Sequence, residues 1–183
     1  GSLGRTEATG YGVVYCIREA MKHLKMDSKA CTASIQGYGN VSQYATIGFT
    51  ELLGGKVVAV SCWDLKDKKA YTYSKKDGID GRFLLTIVDQ YGTIDKEAAK
   101  KAGYEIEDAD AWLYKDVDVL IPAAKEGQIT GENVGKISKQ VKIIADERTN
   151  SVLISGETSQ RLRLKTLVAH LDTPLQSGGD TQV

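Results

Sequence analysis

What the 183 residues lack narrows the field first. Neither charge sign is in excess, since 24 Lys and Arg balance 24 Asp and Glu. Nothing in the net charge therefore draws the chain towards nucleic acid or an anionic membrane, and neither is expected as a partner. No apolar run approaches the ~18 residues that read as a membrane span, and no secretory signal peptide is recognisable. The first residues, GSLGRTEATG, contain no initiator methionine and read as an excised piece with a processed or cloned start. The three cysteines, Cys16, Cys31 and Cys62, form no CxxC pair. They read as reduced thiols in a non-oxidising compartment, not as a disulfide framework. With only His23 and His170 available, a zinc site would need ligands gathered from scattered places, and no metal is expected. No internal repeat or low-complexity tract is present.

What is there suits an ordinary globular protein: 42% hydrophobic and 26% charged residues, enough to bury a core in one domain or one domain with an appendage. The organising stretch is residues 32–64, TASIQGYGNVSQYATIGFTELLGGKVVAVSCWD. An apolar-leaning run ends in Gly37-Tyr38-Gly39-Asn40-Val41; a helical stretch, Gly54-Gly55 and a second apolar run follow. The order strand, glycine turn, helix, strand is that of a βαβ dinucleotide-binding unit, with the second strand roughly 20 residues on. Gly37 permits a tight turn, and Gly39 lets a pyrophosphate approach the backbone at a helix N-terminus. The competing reading is a purely structural strand-to-helix turn. A unit of this kind wants a carboxylate at the end of its second strand to bind the ribose hydroxyls. Here Cys62 stands there, with Asp64 two residues on, so Asp64 must turn inward or the contact is lost.

Along the rest of the chain, residues 7–25 have helical spacing, with Val13, Val14, Ile17, Ala20, Met21 and Leu24 able to share a face. His23 in its last turn reads as a solvated helix-end residue. Residues 65–80 read as a short strand or loop, or a hairpin, with a turn at Asp77-Gly78. Residues 82–91 and 95–101 look helical. Residues 117–121, VDVLI, suit a buried parallel strand, and Pro122-Ala123-Ala124 follow at its carboxyl end, where open α/β sheets bind ligands. ENVGKIS suits a short helix, and residues 141–145 the next strand. Residues 151–155, SVLIS, come too soon after it for a parallel crossover, so 141–155 reads as an antiparallel hairpin. A helix over 159–171 and a fraying tail complete the chain. The fold class expected is α/β: a three-layer, Rossmann-like, mainly parallel sheet with a C-terminal antiparallel strand and helix.

Two resemblances accompany these readings. GSLGRTEATGYG, the GYGNV turn, KVVAVS and DVDVLIPAA followed by EGQIT make residues 1–145 similar to the nucleotide-binding domain of a bacterial glutamate dehydrogenase. VKIIADERTNSVLISG and RLRLKTLVAHLDTPLQ make residues 141–183 resemble a periplasmic domain of a type II secretion secretin. The two texts meet in the strand VKIIA, which suggests an engineered chimera or fusion sharing one core.

The first resemblance implies a cofactor domain for NAD. Gly37, Gly39, Asn40 and Val41 would serve the pyrophosphate and the nicotinamide side. Ala123 and Ala124 would line the adenosine-ribose edge, Thr9 would lie near the carboxamide, and Cys62, Trp63 and Asp64 would border the adenosine. No catalytic residue is assigned. The chain is expected to be no enzyme, because the family's substrate-binding lysines and aspartate are not found, and weak NAD(H) binding is what remains. Lys125, following PAA where the family tends to place an apolar residue, suits a surface newly exposed to water. The second resemblance implies a protein-interaction surface and self-association. The two parts point to different compartments: the cytoplasm for the first, the periplasm or an outer-membrane complex for the second.

Overall fold

A computed structural model describes residues 4–125, 127–146 and 151–154. Their centre is β1 (Thr32–Gln36), buried from Ala33 onwards, as an apolar strand with covered faces must be. β2 (Lys56–Asp64) lies parallel to it on one side and β5 (Val119–Pro122) on the other. β6 (Ile143–Asp146) extends the parallel set beyond β5. The edges are antiparallel. β3 (Lys69–Ser74) and β4 (Glu105–Glu107) continue from β2, and β7 (Ser151–Ile154) pairs back on β6. The seven-stranded order is β4-β3-β2-β1-β5-β6-β7, the α/β class expected.

Two helices cover one face. α1 (Arg5–His23) buries Val13, Val14, Ile17, Ala20 and Met21, the stripe that its spacing predicts. α2 (Asn40–Glu51) buries Ala45, Ile47 and Phe49. The helices meet at glycines. A Cβ on Gly10 would stand 2.6 Å from Tyr44 Cβ, and one on Gly48 would stand 2.9 Å from the Tyr11 ring. Side chains there would push the two helices apart, and the contact sets the first turns of α1 and α2 side by side. On the other face the cover is a 3-10 turn, Ala111–Tyr114, whose Trp112 and Leu113 pack on Leu120, Val117 and Val141.

Several expectations need correcting. The helix expected over 82–91 is α3 (Gly81–Thr86), six residues long. Asp80 caps its start by accepting from the Phe83 N–H. After Ile87 and Val88, Asp89 takes over the backbone, its carboxylate accepting the N–H groups of Tyr91 and Thr93. That Asp-turn competes with helix and wins. α4 (Lys96–Lys101) lies where expected, capped by Asp95. ENVGKIS makes only a 3-10 turn, Val134–Lys136. Residues 65–80 resolve into the hairpin turn and β3, while β4 had no clear signal in its alternating EIE. The hairpin of β6 and β7 forms, with Ile144 opposite Leu153 and Ala145 opposite Val152. The expected helix over 159–171 and the tail lie outside the described residues.

Candidate functional site

The glycine turn is shaped by its backbone and fixed by hydrogen bonds from neighbouring side chains. Gly37 has φ 88°, which L side chains resist, and a Cβ there would stand 2.6 Å from Ala124 Cβ. Its N–H donates to Ser61 Oγ at 2.9 Å, tying the end of β1 to β2. Tyr38 is buried and donates its hydroxyl to the Gly81 carbonyl at 2.9 Å; burial pushes the phenol well above its ordinary pKa. Ser42 donates to the Gln36 carbonyl and Gln43 to the Tyr38 carbonyl. The turn is thus held from four sides.

Gly39, by contrast, is exposed, and a Cβ on it would meet nothing within 4 Å. It starts α2 without a side-chain cap. Asn40 does not provide one, since its Nδ2 donates to the Thr6 carbonyl at 2.6 Å. The first-turn N–H groups of α2 keep their capacity for an anion, and open space lies where one would approach.

The end of β2 is organised differently. Ile35 pairs with Val60, which sets Ser61 and Cys62 level with the glycine turn. The Cys62 thiol is buried and donates to the Gly92 carbonyl at 3.1 Å. Burial pushes its pKa up to about 11, so near neutral pH it is an uncharged donor, not a ribose acceptor. Asp64 does not stand in for it. Its carboxylate accepts the N–H groups of Lys66 at 2.8 Å and Asp67 at 2.9 Å. It also pairs with Lys96 Nζ at 2.7 Å. Lys96 pairs with Asp67 as well and lies 3.9 Å from the centre of the Tyr71 ring. The Lys96 hydrogen bond, helped by the two backbone N–H groups, holds the Asp64 carboxyl below its ordinary range against a smaller cost of burial. Trp63, on the alternate face of the strand, is 55% exposed.

Beside this end lies a cleft of ≈680 Å³ whose wall includes Asp64, Lys66, Asp89, Thr93 and Lys96. Gly92, between Asp89 and Thr93 of that wall, links it to the turn. It accepts the Cys62 thiol, and a Cβ on it would stand 3.6 Å from the Tyr38 carbonyl. A second cleft, ≈720 Å³, lies at the β3–β4 edge among Tyr71, Glu107, Asp110, Tyr114 and Lys115. No glycine-turn residue lines it.

Of the residues singled out from sequence, Gly37, Gly39, Asn40, Val41 and Ala124 come together at the turn. Ala123 is half-buried on the main core beside them. Thr9 is exposed on α1, next to Gly10, whose absent Cβ would press on the Val41 carbonyl, and one turn from Thr6. Ser61, Tyr38, Gly92 and Thr93 were missed. Only Ser61 left a trace, a small polar residue closing the apolar run KVVAV. Among the described residues no group of three or more His, Cys, Asp or Glu could hold a metal, and no helix is long and apolar enough to cross a membrane.

The family described as Glutamate/Leucine/Phenylalanine/Valine dehydrogenase matches residues 1–179. The chain is 40% identical over 133 residues to the NAD-specific glutamate dehydrogenase of Clostridioides difficile, covering 72% of this chain and 30% of that one. It is 33% identical over 181 residues to the NADP(+)-dependent glutamate dehydrogenase of Pyrobaculum calidifontis, covering 98% of this chain and 40% of that one. The crystal structure of glutamate dehydrogenase from Peptoniphilus asaccharolyticus superposes with a TM-score of 0.58 at 30% identity, covering 93% of this chain and 34% of that one. The chain therefore spans between 30% and 40% of the length of these relatives.

One expectation finds no support in these matches, and one is overturned by them. The family match runs on through the segment whose text resembles a secretin, and the matches bring no sign of a secretin segment or a splice. The expectation that the chain is no enzyme is overturned, because its relatives are named glutamate dehydrogenases, which are oxidoreductases. The absence of the family's substrate-binding residues from a stretch that spans a third or so of such an enzyme does not exclude activity. The chain belongs to the Glutamate/Leucine/Phenylalanine/Valine dehydrogenase family.

Proposed function

We propose that the described residues form the cofactor-binding region of a glutamate dehydrogenase and hold a nicotinamide dinucleotide, NAD(H), weakly. The observation that carries this reading is the uncapped start of α2 behind a glycine turn fixed by Ala124, Ser61 and Tyr38. The donor set fits a pyrophosphate: free backbone N–H groups, a helix dipole and no side chain over Gly39. Gly37, Gly39, Asn40 and Val41 would hold it. Ala123 and Ala124 would border the adenosine ribose, and Thr9 would stand towards the nicotinamide. When bound, the nicotinamide supplies the hydride-accepting carbon; this chain's residues bind and orient the cofactor. Binding is weak on this reading because a ribose acceptor at the end of β2 is replaced by a thiol donor. One such charge-assisted hydrogen bond contributes about 1.5–3 kcal/mol.

Exposed Trp63 provides the test. NADH titrated into the full chain should quench tryptophan emission, with energy transfer to the reduced nicotinamide. A flat titration up to millimolar NADH would overturn the reading.

A second reading concerns residues 141–183, as a secretin-like interaction module joined to the dehydrogenase region. The text VKIIADERTNSVLISG and the tight antiparallel pairing of β6 with β7 favour it. Sedimentation velocity over a hundredfold concentration range tests it: a ring-forming surface self-associates, and an unchanging monomer peak removes it.

A further inference from the structure

We infer that Tyr38 is a positioning residue for the phosphate site: its buried hydroxyl, bonded to Gly81, locks the turn to the flank of α2 and so aims the Gly39 N–H. The inference rests on the dinucleotide reading above and deepens it. The glycines leave room for a pyrophosphate, but room alone does not decide where the donors point.

Gly39 has no side chain to hold it, and it is exposed. Its N–H shares a planar trans peptide with the Tyr38 carbonyl, so the two point in opposite directions and move together. That carbonyl accepts from Gln43 Nε2 at 2.9 Å. The Tyr38 ring runs the other way into the main core, and its hydroxyl donates to the Gly81 carbonyl at 2.9 Å. Tyr38 is therefore pinned through main chain and side chain at once, which leaves the 38–39 peptide little freedom to swing.

Gly81 is a firm anchor because α2 holds it. It is buried at the start of α3, where a Cβ would stand 3.0 Å from Thr46 Cγ2 and 3.1 Å from Ile47 Cγ1, both on α2. Beside it, Arg82 donates to both oxygens of Glu51 at the end of α2, and the Asp80 N–H donates to the Tyr104 hydroxyl at 3.3 Å. The contacts close a circuit. The body of α2 holds Gly81, Gly81 holds Tyr38, and Tyr38 stands two residues before α2 begins. A turn referenced to its own helix keeps the Gly39 N–H in fixed relation to the free N–H groups of that helix, so a phosphate meets one preorganised set. A ring that only filled the core would do so as well without a hydroxyl. The hydroxyl is what closes the circuit.

Tyr38→Phe keeps the ring and removes the strut. Ligand-observed NMR titration of the full chain with NADH, ADP and adenosine reads the result, after a urea midpoint has shown that the variant is folded. NADH and ADP carry the pyrophosphate, and both should weaken by about three- to tenfold, the worth of one neutral hydrogen bond. Adenosine has no phosphate and should bind as it does to the unmodified chain. A merely structural role would weaken all three alike. Gln43→Ala frees the same peptide from a half-exposed position and should give the same split. Equal losses for ADP and adenosine in either variant, or unchanged ADP affinity in either, would overturn the inference and leave the dinucleotide reading standing. Failure of the unmodified chain to bind NADH or ADP at millimolar concentration would remove both.

Discussion

The ends of β1 and β2 lie side by side in one sheet and are made by opposite means. At the end of β1 the backbone shapes the turn: a left-handed glycine packed on Ala124 and an uncapped helix start, steadied by hydrogen bonds at Ser61, Tyr38, Ser42 and Gln43. At the end of β2 side chains do it. The Cys62 thiol holds Gly92, Asp64 closes the turn into β3, and Lys96 joins that turn to α4. The first arrangement leaves polar groups open to a ligand, and the second uses them up within the fold. In one neighbourhood, the capacity to bind and the capacity to stabilise have been assigned to different strands.

If the β1 end is a backbone device, Gly37→Val should be the most damaging change of those considered. The new side chain must occupy φ 88° and overlap Ala124 Cβ, at 2.6 Å from where its own Cβ would lie. Left-handed strain and overpacking together should cost about 2–5 kcal/mol, read as a lower urea midpoint. A midpoint within error of the parent would mean that the turn relaxes freely, and the contrast between the two strand ends would collapse.

The same contrast explains how much could be read from sequence. The β1 turn was legible because its requirements are local: GYGNV between an apolar run and a helical one leaves few structures that the backbone can adopt. The stripe of α1 was legible for a similar reason, periodicity alone placing Val14, Ile17 and Met21 inside. The β2 end was not. Nothing in CWDLKDK says that Asp64 will close a hairpin and meet a lysine 32 residues later. Nor could the text reveal that Cys62 would donate to Gly92, since that bond depends on where residues 87–95 turn. Their turn was itself misread, because Asp89 supplies an alternative to the helix that spacing favoured. Tyr38 was hidden for another reason. An aromatic between two glycines reads as a filler of the turn, whereas its hydroxyl reaches Gly81, 43 residues on.

At the β2 end the comparison can be sharpened with acid. Asp64 is held below its ordinary pKa of 3.8, so its contribution to stability is present above that value and lost as pH falls through the depressed folded-state value. Lys96→Met removes the partner. At about pH 6 the variant should be less stable by about 1.5–3 kcal/mol, the range for hydrogen bonds to charged groups. As pH falls through the depressed values of Asp64 and Asp67 the two urea midpoints should converge, since protonation of both carboxylates releases Lys96 in the parent too. Parallel curves across that range would show that Lys96 acts by packing on Tyr71 and not by its charge.

The smallest effect on stability is the one that separates fold from function at the glycine turn. Gly39 has φ −77°, a value any residue adopts, and a Cβ on it touches nothing. Gly39→Ala should therefore leave the urea midpoint within about 0.5 kcal/mol of the parent. If the open start of α2 is where the pyrophosphate approaches, the added methyl occupies that approach, and NADH affinity should fall about tenfold or more with no loss of fold. Gly37 and Gly39 would then be told apart by a pair of measurements, the first required by the chain itself and the second by what the chain binds. Unchanged affinity in a folded Gly39→Ala protein would move the dinucleotide away from this helix start, whatever the glycine pattern suggests.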